Sequence, residues 1–78
     1  METHLHRITI NLLISHGKPT IRNMRYPVES ILEYLAGGDT IEDLLAEFED
    51  LEKEDILACI QYALLSVRAK NLQTTTLA

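Results

Sequence analysis

At 78 residues the chain has room for one domain with a single small core. Hydrophobic residues make up 46% and charged residues 24%, ordinary for a globular protein, and no apolar run approaches the length that spans a bilayer. The formal net charge of -5 hides a split. Arg7, Lys18, Arg22 and Arg25 face only Glu2 in residues 1–27, whereas residues 28–78 hold eleven acids against Lys53, Arg68 and Lys70. A basic front and an acidic back predict two faces with different partners, or acidic helices that only keep a small domain in solution. The lone Cys59 excludes an intrachain disulfide and a cysteine-built metal site, and leads us to expect a cytoplasmic protein. Met1 to His6 carries Glu2 with no long apolar segment behind it, so no secretory signal is expected.

The front of the chain reads as an extended ribbon over residues 6–27. In "RITINLLI", Ile8, Ile10 and Leu12 alternate with Thr9, Asn11 and Leu13, with the β-branched content of a strand. Ser15 to Pro19 has turn composition. Thr20-Ile21-Arg22 and Arg25-Tyr26 read as short extended pieces, with Asn23-Met24 between them as a tight turn.

Three helices are predicted over residues 28–70. Val28, Ile31, Leu32 and Leu35 fall at i, i+3, i+4, i+7, the stripe of a short amphipathic helix that begins after Pro27 and ends at Gly37-Gly38. Thr40, with Asp43 three residues on, offers a capping box for a second helix carrying Ile41, Leu44, Leu45 and Phe48. Ile56, Cys59, Ile60, Ala63, Leu64 and Val67 form the predicted buried stripe of a third, longer helix. Acids lead that helix and Arg68 and Lys70 close it, as the helix dipole favours. The short second connection has helix-turn-helix spacing. Residues 71–78 lack periodicity and are expected to form a flexible tail. The expectation is therefore one mainly α domain over residues 1–70, a three-helix unit behind a β-ribbon. We further expect it to form a homodimer by self-pairing of residues 7–13, because an open strand edge invites strand addition.

The stretch "HGKPTIRNMRYPVESILEYLAGGDTIEDLLAEFEDLEKEDILACIQYAL" resembles the bacterial family called domain of unknown function 433. The matching positions are Gly17, Lys18, Pro19, Ile21, Arg22, Arg25, Pro27, Val28, Gly38, Phe48, Leu51, Asp55, Ile56, Tyr62 and Ala63. Where the family has Gly-Thr before the second arginine, this chain has Asn23-Met24, and Glu52 replaces the usual Ser or Thr cap of the third helix. The resemblance implies a homeodomain-like three-helix fold with a short β-element in front. It also implies an antitoxin-like role, because many members are encoded beside toxins of the PIN-nuclease type, which the antitoxin binds while repressing its own promoter.

As a DNA reader the third helix would lead with Glu52, Lys53, Glu54 and Asp55. Three acids at that end oppose a ligand whose affinity comes largely from its phosphates. The ribbon cations Arg7, Lys18, Arg22 and Arg25 are the better candidates for contact with operator DNA or a protein partner. Arginine pairs bidentately with carboxylate, which suits Arg22 and Arg25 to the acidic metal site of a PIN-type toxin. The plainer alternative pairs both with acids of this chain such as Glu29 and Glu33. A competing function is an adaptor whose acidic helical face binds a basic protein and no nucleic acid.

No enzyme is expected. "GKPT" at residues 17–20 lacks the earlier glycine of a phosphate loop and puts Pro19 after its lysine. His4, His6 and His16 read as solvated, Ser15 and Ser30 lack a base, and Cys59, Tyr34 and Tyr62 read as packing residues. Neither a metal nor a cofactor is expected.

Overall fold

Two short strands open the fold, β1 (Ile8–Ile10) and β2 (Pro19–Ile21), paired antiparallel with Ile8 opposite Ile21 and Ile10 opposite Pro19. A computed structural model describes residues 2–74, with side chains to residue 69. Behind the hairpin come α1 (Val28–Ala36), α2 (Ile41–Glu47) and α3 (Lys53–Thr74). This is the expected arrangement of three helices behind a β-ribbon.

After β2 the chain reverses in a tight turn closed by the Met24 N–H donating to the Ile21 carbonyl at 2.7 Å. Its two central residues, Arg22 and Asn23, lie at φ 46 and 57. Two adjacent residues at positive φ mark the turn type that matches the twist of a hairpin, and asparagine tolerates that region better than most residues. The turn is thus centred one residue earlier than the Asn23-Met24 expected from sequence. Ile21 N–H then donates to the Tyr26 carbonyl, and Thr20 bridges Pro27, so the returning chain lies against β2 before α1 begins.

The boundaries of α1 and the start of α2 have local causes. Pro27, with φ -66, stands before α1 where a missing N–H costs nothing. Gly38, at φ 110, ends that helix in a left-handed position, and Asp39 N–H reaches back to the Tyr34 carbonyl. A Cβ on Gly38 would meet no atom within 4 Å, so the backbone angle and not space calls for glycine. The capping box of α2 is present as predicted: Thr40 Oγ1 accepts from the Asp43 amide at 3.1 Å, and Asp43 Oδ2 accepts from the Thr40 amide at 2.8 Å.

The core gathers one or two residues from β2, from each helix and from the α2–α3 connection: Ile21, Val28, Ile31, Leu44, Leu51, Ile56 and Cys59. Tyr26, edge-on, and Tyr34, tilted, pack against Phe48 along one side, with ring centroids 5.6 and 5.7 Å from it. The predicted stripe of α3 is buried only in part. Ile56 and Cys59 are sealed, but Ile60 is 42% and Val67 66% exposed. Ala58 is buried instead. Toward Val67 the stripe therefore loses its cover. The helix also runs to Thr74, past the expected end near residue 70; residues 75–78 of the expected tail lie outside the described residues. No helix among the described residues is long and apolar enough to cross a membrane.

Ile56 is fully enclosed where hairpin, α1 and α3 meet. Ile56→Ala should cost about 3 kcal/mol through lost transfer energy and the cavity left behind. In a domain this small that is a large share of the total, and a urea denaturation midpoint measures it.

Candidate partner-binding surface

The ribbon cations divide into two pairs with different environments. Arg7 ends a 3-10 turn (Leu5–Arg7), and Arg22 occupies the first left-handed position of the hairpin turn. Both point to the first turn of α3. Arg22 grips Asp55 with two nitrogens, Nε to Oδ1 at 3.1 Å and Nη2 to Oδ2 at 2.9 Å. Its Nη2 also donates to the Asp50 carbonyl at 2.8 Å. Arg7 Nη1 donates to Asp55 Oδ1 at 3.0 Å and to Glu52 Oε1 at 2.6 Å.

Asp55 itself is fully buried, and its Oδ2 also accepts from the Glu52 amide at 2.8 Å, capping α3. Burial alone would push this carboxyl up. Hydrogen bonds from Arg22, the Glu52 amide and Arg7 outweigh it and hold the group below the usual range. The guanidinium groups of Arg7 and Arg22 are correspondingly held above theirs, by hydrogen bonds to Glu52 and Asp55 and to Asp55 respectively. Glu29 and Glu33, the acids offered as partners for Arg22 and Arg25, make an ion pair with neither; the acid that Arg22 meets comes from across the fold.

Lys18 and Arg25 are exposed, and among the described residues neither makes an ion pair. Lys18 precedes β2, and Arg25 follows the hairpin turn. Of the four predicted contact residues, two are therefore spent inside the molecule and two remain outward. Asp55, Glu52 and the Asp50 carbonyl went unrecognised as their partners. The spacing of Glu52 and Asp55, three apart at a helix start, is the signal that marks a cap.

The remaining reactive groups are engaged in packing or capping. Cys59 is buried, and burial with the Asp55 charge nearby pushes its thiol up to about 12, far from a nucleophile's range. Tyr26 donates to Asp50 Oδ2 at 3.3 Å, and burial with that carboxylate raises its hydroxyl above the ordinary value. Among the described residues no three His, Cys, Asp or Glu side chains gather as a metal site would require. An apolar groove of about 420 Å3 runs beside the ribbon, between Pro19, Pro27, Val28 and Leu32 on one wall and Tyr62 and Val67 of α3 on the other.

Asp55→Asn should lower stability at neutral pH by about 3 kcal/mol, because the partly screened Arg22 guanidinium loses its counter-charge and Arg7 keeps only Glu52. Since the folded carboxyl lies below its unfolded value near ~4, its stabilisation is complete above that pH and is lost as pH falls through the folded value. The wild type should weaken below about pH 4 more steeply than Asp55→Asn, with the capping carboxyl of Asp43 supplying the slope that remains. Thermal melts across that window measure both.

The model of the family described as "Protein of unknown function (DUF433)" matches residues 8–63. The fold is similar to the crystal structure of a DUF433 member protein from Anabaena variabilis ATCC 29413. The TM-score is 0.74 and the identity 28%, over 88% of this chain and 68% of that one. A comparison with curated proteins gives no match.

Proposed function

The chain belongs to the DUF433 family, and from that membership we propose a non-catalytic, antitoxin-like protein that binds a PIN-type nuclease toxin in the cytoplasm. The observation that carries this reading is the contrast between Arg22 and Arg25. Arg22 is clamped to Asp55, whereas Arg25, three residues on, is exposed with no ion pair among the described residues. A free guanidinium on an anchored turn can enter a cluster of carboxylates with little loss of conformational freedom, and it pairs with them bidentately.

Contact with operator DNA belongs to the same proposal in second place. Arg7 and Arg22 are already neutralised inside the protein, which leaves Lys18 and Arg25 for phosphates. The leading turn of α3 meanwhile carries Glu54 outside the Asp55 cluster. Two free cations beside an acid give a small electrostatic footprint for a duplex.

Co-expression with the product of the neighbouring gene tests the reading. Arg25→Ala should cut the amount of co-purified partner by ~10-fold or more while leaving the melting midpoint unchanged. Arg22→Ala should lower both. A complex indifferent to Arg25→Ala would move the contact to the helices, and retention of a basic partner by the acidic helical face would favour the adaptor.

A further inference from the structure

The loop between β1 and β2 holds large apolar side chains out in water. Leu12 and Leu13 are 83% and 87% exposed, and Ile10 just before them is 64% exposed. The loop is fixed by its own hydrogen bonds. Leu13 N–H donates to Asn11 Oδ1 at 2.9 Å, Ile14 N–H to the Asn11 carbonyl at 2.9 Å, and Gly17 N–H to the Ile14 carbonyl at 3.1 Å. Ser15 and His16 take positive φ of 50 and 56, a strain that persists only where the surroundings impose it. Gly17 lies beneath Leu12, so close that a Cβ there would stand 3.0 Å from Leu12 Cδ2. The two leucines therefore form a preorganised apolar prong, which is uncommon on a surface with no partner.

A concavity of matching chemistry lies on the same chain. It is the groove of about 420 Å3 walled by Pro19, Val28, Leu32, Tyr62 and Val67. Its far wall is the outer part of α3, where Val67 is 66% exposed. Lys18 and Glu29, both exposed and without an ion pair among the described residues, also border it.

We propose that the groove is filled by a second copy of this chain, in a two-fold dimer in which the Leu12-Leu13 prong of each copy lies in the groove of the other. The arrangement closes because prong and groove are neighbours: the loop ends at Lys18 and Pro19, which themselves line the groove. One rotation about an axis near Lys18 then makes both insertions at once, the isologous contact that stops at two copies. Charge favours the same docking. Lys18 and Glu29 both border the groove without an ion pair among the described residues, so the two-fold contact can set Lys18 of each copy against the opposite charge on the other copy's groove rim. Self-pairing of residues 7–13 has less to offer, since β1 is three residues long and gives few ladder hydrogen bonds. Arg25 lies outside the groove and stays free. The dimer is independent of the toxin reading and is tested on the protein alone.

Sedimentation equilibrium of the full chain should show a dimer. Leu12→Glu/Leu13→Glu and, separately, Val67→Glu should each weaken it by ~30-fold or more. All three positions are exposed, so the circular dichroism and melting of the separated chains should be kept. Mixing Leu12→Cys with Val67→Cys under mild oxidation should link two chains, and neither variant alone should do so. A wild type that stays monomeric at every concentration overturns the proposal. So does a dimer that survives both glutamate variants, which would put the interface on the β1 edge or elsewhere.

Discussion

One buried carboxylate organises this fold. Asp55 has no solvent exposure, and its two oxygens receive hydrogen bonds from the Glu52 amide, from two nitrogens of Arg22 and from Arg7. A buried charge is costly unless it is both paired and fully hydrogen-bonded. Here the two guanidinium groups are balanced by Asp55 and Glu52 together, so the cluster is formally neutral. The same oxygens cap α3 and anchor the hairpin. The ribbon and the first turn of the longest helix are therefore one mechanical unit, although they lie more than thirty residues apart in the chain.

That coupling explains how a hairpin with three-residue strands holds a defined position. Isolated two-stranded ribbons are marginal in water. This one gains Ile21 in the core, the Thr20–Pro27 bridge, and the Arg22 clamp at its open end. Arg22 sits at φ 46, a conformation that costs free energy for a residue with a side chain. Its bidentate bond to Asp55 and the further bond to the Asp50 carbonyl hold it there. The basic character of the front half is in part a structural device and in part an open surface. Arg7 and Arg22 belong to the first, Lys18 and Arg25 to the second.

Sequence made the helices legible and the long-range chemistry much less so. The i, i+3, i+4 spacing of Val28, Ile31, Leu32 and Leu35, the Thr40–Asp43 box and Gly38 are local signals, and each appears where its physics requires. The outer stripe of α3 carries the same spacing, yet Val67 is open to solvent. Periodicity records that a helix has an apolar face; it does not record what covers that face. Asp55 was harder still. The spacing of Glu52 and Asp55 marks a cap but not the burial of Asp55, because that burial depends on arginines brought from the 3-10 turn before β1 and from the turn after β2. The resemblance to DUF433 did mark both Arg22 and Asp55 as matching positions, but without their pairing.

Asn23-Met24 stands where the resemblance to DUF433 implies Gly-Thr, and this turn bears directly on the candidate surface. A methionine forced to positive φ would strain the turn and swing Arg25 away from its position. The register of the turn avoids this. Positive φ falls on Arg22 and Asn23, where the clamp to Asp55 and the tolerance of asparagine absorb it. Met24 closes the turn through its amide and packs its side chain, half-buried, against the core cluster. It thus adds an apolar anchor at the base of the segment that carries Arg25. The outward guanidinium stands between two fixed points, Met24 behind it and Tyr26 packed on Phe48 ahead of it, and its freedom is confined to its own side chain.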